Sequence, residues 1–80
     1  MDIREDFARN LRKFRRQKGL SQEALAHDAG VDRTYVSALE RCVYSASITM
    51  VEKLATVLGV EPTDLLQRPT KGGRPKTKSG

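Results

Sequence analysis

The sequence predicts an all-α domain of five helices with a basic tail behind it. Three observations lead there. Apolar residues recur at helical spacing, as in Ile3, Phe7, Leu11 and Phe14. Residues suited to open a helix, Ser21, Asp32, Ser47 and Pro62, stand ahead of such stretches. Gly19, Gly30 and Gly59 stand behind them, where a left-handed residue commonly ends a helix.

Helix 1 is expected over residues 2–18 and closes at Gly19. Asp2, Glu5 and Asp6 lie in its first turns and Arg15, Arg16 and Lys18 in its last, so its charges oppose its dipole. Arg9, Arg12, Lys13 and Arg16 fall mostly off the apolar stripe, whereas Arg15 follows Leu11 by four residues on the side nearest the core. Helix 2 opens on Ser21, whose hydroxyl can accept an orphan amide, and continues through Ala24, Leu25, Ala26 and Ala29. Gly30 ends it and Asp32 offers a second N-cap, which leaves two residues between helices and forces a steep crossing.

The next helix, residues 32–41, has two faces. Tyr35, Val36 and Leu39 fall on the side that packs inward. Thr34, Ser37, Ala38 and Arg41 fall opposite, with Arg33 at the N-terminal edge. Little bulk, hydroxyl tips and positive ends suit a DNA groove, although charged faces are often only solvated.

Residues 42–46 have no useful period and read as a loop in which Tyr44 covers the core edge, the favoured reading, or approaches the DNA backbone. Helix 4 spans 48–58 behind Ser47, with Ile48, Val51, Leu54, Ala55 and Leu58 as its core stripe. Met50 and Val57, seven apart on another face, suggest a partner helix. Pro62 opens a short fifth helix ending near Leu66.

The domain therefore covers residues 1–67 and the tail 68–80. The tail has no apolar residue to bury and is expected to be disordered in isolation. Charge is unevenly placed. Residues 1–18 carry seven Arg/Lys and three Asp/Glu, for +4; residues 19–67 carry three and seven, for −4; residues 68–80 carry five and none, for +5. Local positive charge of this kind suits a nucleic-acid partner. A membrane partner is disfavoured, because helix 1 needs its apolar residues for the core and no apolar run approaches 18 residues. The N-terminus lacks a signal peptide's apolar region, and the lone Cys42 fits a reducing cytosol. Eighty residues make a thin core, which a second copy would extend.

No enzyme is expected. His27 has no cysteine at metal spacing, Ser21, Ser37, Ser45 and Ser47 have no base but His27, and no phosphate-binding glycine loop exists. Neither a cofactor nor a small-molecule effector is implied.

The residues Leu20-Ser21-Gln22-Glu23-Ala24-Leu25-Ala26, Gly30-Val31, and Asp32-Arg33-Thr34-Tyr35-Val36-Ser37-Ala38-Leu39-Glu40-Arg41 resemble the phage-repressor/Cro-type (XRE) helix-turn-helix family. Asp32-Arg33-Thr34-Tyr35 with Glu40-Arg41 looks most like the restriction–modification controllers. The resemblance runs from about Phe7 to Leu66 and implies a lambda-repressor-like fold and a cytoplasmic, nucleoid-associated transcriptional regulator. It implies Ser21, Gln22 and Thr49 against the DNA backbone, Arg33, Thr34, Ser37 and Ala38 at base edges, and Arg41 on phosphate. Tyr35 departs from the smaller residue many phage repressors carry there, and either packs inward or presses on the backbone. Arg15 is implied to pair with Glu40. Dimerisation through the C-terminal helices would involve Met50, Val57 and Leu66. Gly73-Arg74-Pro75 with Lys76 resembles an AT-hook core, with a plain basic tail as the other reading. The rival function is an antitoxin-like module that masks a protein partner.

Overall fold

In the computed structural model, residues 2–68 are described. Five helices follow one another: α1 (Ile3–Gln17), α2 (Gln22–Ala29), α3 (Arg33–Glu40), α4 (Ile48–Leu58) and α5 (Pro62–Leu65). Met1 and everything from Pro69 on, including Arg74 and the hook-like segment, lie outside the described residues. Among the described residues no helix is long and apolar enough to cross a membrane.

Each helix contributes to one core. Leu11, Leu25, Leu39, Leu54 and Leu65, one per helix, are almost completely shielded from water, with Val36 beside them. α1 packs on α3 and α5, α2 on α3 and α4, and α4 on α5. The helix ends follow local chemistry. Ser21 Oγ accepts the Ala24 N–H at 3.0 Å and Ser47 Oγ the Met50 N–H at 3.1 Å. Asp2 caps α1, and hydrogen bonds from the Arg4 side chain and backbone hold its carboxyl below the usual range. Gly30 and Gly59 adopt φ of 73° and 72°, a region costly for other residues.

Several expectations change. Three residues, Gly30, Val31 and Asp32, separate α2 from α3 rather than two, and the Asp32 side chain makes no capping bond. Ile3 and Ile48, expected in core stripes, are exposed, Ile48 at 90%. Each is the first residue of its helix, and a helical side chain leans toward the preceding turn, which at a first residue does not exist. The stripes begin one turn later, at Phe7 and Val51. Tyr44 is itself exposed and meets the core edge only through Tyr35, which packs against the core, with ring centroids 6.2 Å apart. His27, expected on a packing helix, points to solvent with Nδ1 3.6 Å from Asp28 Oδ1.

One buried contact has no local signature. Asn10 Nδ2 donates to the carbonyls of Leu65 at 3.0 Å and Gln67 at 2.7 Å, closing the C-terminal turn onto α1. Asn10→Ala leaves both acceptors without this donor. It is expected to cost about 1–3 kcal/mol in urea unfolding and to loosen amide protection in α5 first, while Gln17→Ala stays within about 0.5 kcal/mol.

Candidate nucleic-acid interface

The reading surface is built on a buried carboxylate. Glu40, the last residue of α3, is 5% exposed, and burial of a charge is tolerated only with donors around it. Arg15 of α1 supplies two of them, Nε to Oε2 at 2.6 Å and Nη2 to Oε1 at 3.0 Å, a fork-on-fork pair. Gln22 of α2 supplies a third, Nε2 to Oε1 at 3.0 Å. Arg15 Nη1 also donates to the Leu20 carbonyl at 2.9 Å, tying in the link before α2. The C-terminal end of α3 is thus fixed against the other two helices by directional bonds as well as by apolar packing.

On the outside of this clamp, Gln22, Arg33, Thr34, Ser37 and Arg41 line a cleft of about 110 Å³. Arg33, Thr34 and Arg41 are exposed and Ser37 is half-buried. A larger hollow of about 570 Å³ lies between α2 and α4; Thr49, Thr56 and Lys53 line it together with the carboxylates Asp28 and Glu52, and it holds no arginine.

The remaining sequence-derived residues separate into groups. Ser21 stands exposed at the start of α2, its oxygen accepting the capping bond while its hydroxyl hydrogen is still available. Thr49 is exposed in the first turn of α4. Gln22, expected against the DNA backbone, is engaged by Glu40 in the absence of DNA. Ala38 is not on the open face: it is 5% exposed, and just beyond it the chain reverses at Cys42 (φ 61°), where Val43 N–H returns to the Ala38 carbonyl at 2.9 Å. Tyr35 is half-buried and packs on the core. Met50 and Val57 also lie half-buried against the core, while Leu66 is exposed.

The helical pattern does not single out Arg12, yet its Nη1 lies 3.4 Å from the Glu40 carbonyl, at the end of α3. Nor does it single out Asp6, buried between Arg9 at 3.2 Å and Arg68 at 3.3 Å. Nothing in their local sequence announces partners 28 and 62 positions away.

A short helix, a left-handed glycine and a second helix with a polar cationic outer face match a known architecture. A helix-turn-helix family model covers residues 11–65. The chain belongs to the helix-turn-helix family. It is similar to a hypothetical transcription factor of Neisseria meningitidis, 48% identical over 68 residues, which covers 85% of this chain and 64% of that protein's length. The control protein C.BamHI of Bacillus amyloliquefaciens is 40% identical over 72 residues, 89% of each chain. Among solved structures, a hypothetical transcription factor from Neisseria superposes with a TM-score of 0.83 at 48% identity, over 85% of this chain and 78% of that one. The biofilm regulator SinR in complex with DNA superposes with a TM-score of 0.73 at 35% identity, over 76% and 98%. This helix-turn-helix protein is a DNA-binding transcriptional regulator.

Removing Glu40 leaves the Arg15 guanidinium, with its side chain 11% exposed, without its counter-ion. Glu40→Ala is expected to cost about 3–5 kcal/mol of stability. Glu52→Ala, on an exposed face, is expected to change little. Melting curves of the two variants side by side check this; small and equal shifts contradict a structural role for the pair.

Proposed function

We propose that the chain works as a homodimer on a two-fold operator in double-stranded DNA, each copy laying α3 in the major groove. The convergence of Gln22, Arg33, Thr34, Ser37 and Arg41 on one cleft carries the reading. In it Arg33 is the specificity residue, since a guanidinium can bridge O6 and N7 of guanine. Thr34 and Ser37 supply short contacts beside it. Arg41, with Ser21 at the start of α2 and Thr49 at the start of α4, meets phosphates and sets the register. Gln22 stays held by Glu40 or turns to the backbone as DNA arrives. Control-protein relatives and DNA-bound SinR support this reading, in which the protein acts on the nucleoid in the cytoplasm, without cofactor or catalysis.

The dimer surface in this reading is the open apolar one. Ile48, Val51 and Leu66 line two adjoining shallow clefts of about 220 and 210 Å³, with Ile3 and Phe7 at one side. Ile48, Leu66 and Ile3 are exposed here, whereas Met50 and Val57 already pack on their own core. Two copies joined there would read two half-sites about one helical turn, roughly 34–36 Å, apart.

Two measurements test the proposal. With a site selected from random duplexes, Arg33→Ala is expected to lose about 1–3 kcal/mol on that site and little on unrelated DNA. A uniform loss makes Arg33 a phosphate contact. Ile48→Asp is expected to give folded monomers by sedimentation, while Val57→Asp lowers the melting temperature. A folded Ile48→Asp dimer of unchanged affinity removes this surface from the proposal.

A further inference from the structure

Residues 9–18 contain Arg9, Arg12, Lys13, Arg15, Arg16 and Lys18 and no acidic residue. Arg15 turns inward to Glu40. Arg9, Arg12, Lys13 and Arg16 recur at intervals of three and four, so their backbone positions share one face of α1, opposite those of Phe7, Leu11 and Phe14, and the Lys13 ammonium bends back to 5.2 Å from the centre of the Phe14 ring. Arg9, Lys13 and Arg16 are exposed and Arg12 is half-buried. Like charges at these separations repel and weaken a helix. Among the described residues the only carboxylate paired on this face is Asp6, at its upstream end, shared by Arg9 and Arg68; no ion pair reaches Lys13 or Arg16. The remainder of the domain is net acidic, so the concentration on this face is not a property of the whole surface.

Two sets of hydrogen bonds locate this face in the fold. Arg12 donates to the carbonyl of Glu40, so the middle of the stripe adjoins Arg41 and the end of the reading helix. Asn10 holds the carbonyls of Leu65 and Gln67, and Arg68 lies 3.3 Å from Asp6, so the chain leaves the domain beside the same face. The sequence beyond adds Lys71, Arg74, Lys76 and Lys78.

We propose that the outer face of α1, through Arg9, Arg12, Lys13 and Arg16, is a second phosphate-binding surface that takes the DNA backbone flanking the site read by α3. The proposal rests on the reading of α3 given above. From Arg9 to Arg16 the helix rises about 10 Å, the axial length of about three phosphates on one strand. An anionic membrane is a poorer occupant, because Phe7, Leu11 and Phe14 of α1 pack in or against the core and its exposed apolar residue, Ile3, stands at the helix start, away from the stripe.

The test compares the full chain with its Lys13→Ala, Arg16→Ala double variant on two duplexes. Both carry the same selected site; one ends at the site's edges and the other extends about one helical turn on each side. On the long duplex the variant is expected to bind several-fold more weakly and to lower the log–log salt slope by about 2, near 0.9 for each phosphate no longer neutralised. On the short duplex the two proteins are expected to match. Equal loss on both duplexes overturns the flanking assignment. No loss on either, including the case where the face captures only acidic proteins, overturns the surface itself. Melting temperature gives an independent readout: it is expected to hold or rise as repulsion is removed, and a fall with an unchanged salt slope would make the stripe structural. Failure of Arg33→Ala to discriminate sites would overturn the reading helix without touching this salt-slope comparison.

Discussion

The arrangement of the reading surface depends on the Glu40 carboxylate. A charge removed from water must be compensated by nearby donors, and the donors here come from two other helices. Hydrophobic burial would hold α1, α2 and α3 together with some freedom to slide, because it is not directional. The fork from Arg15 and the amide of Gln22 remove that freedom at the end of α3 where Arg41 begins. Gln22 shares both jobs: one side of its amide belongs to the clamp, and the side chain lines the reading cleft. A change at Gln22 therefore acts on the clamp and on the cleft together.

Around that clamp the domain is economical in how it spaces its parts. Only Gly30, Val31 and Asp32 connect α2 to α3, so the positive φ of Gly30 controls the direction in which α3 leaves. At the far end, the reversal at Cys42 brings the loop back beside Ala38 and leaves Thr34, Ser37 and the two arginines as the open part of α3.

Electrostatics divides the molecule in a second way. The domain after residue 18 is net acidic, and positive charge stands in three places: at Arg33 and Arg41 around α3, where Asp32 and Glu40 match it in number, along α1, and in the segment after Gln67. The attachments of Asn10 to the last turn and of Asp6 to Arg68 join the second and third of these. Long-range attraction to a polyanion would act most on the last two.

Much of this was legible in the sequence because it is local. Helix ends at Ser21, Gly30, Ser47, Gly59 and Pro62 depend on hydrogen bonds and backbone angles within a few residues, and Leu11, Leu39 and Leu54 of the core follow from helical period. The polar outer face of α3 was readable for the same reason. The tertiary structure alone decided which residues at the margins of that pattern are covered. Periodicity places Ile3 and Ile48 in their stripes but carries no information that a first residue overhangs its neighbours. It places Ala38 outward but cannot see the returning loop. The buried polar contacts of Asn10 and Asp6 join positions 55 to 62 residues apart, and such pairs form only when the packing of whole helices brings them within reach.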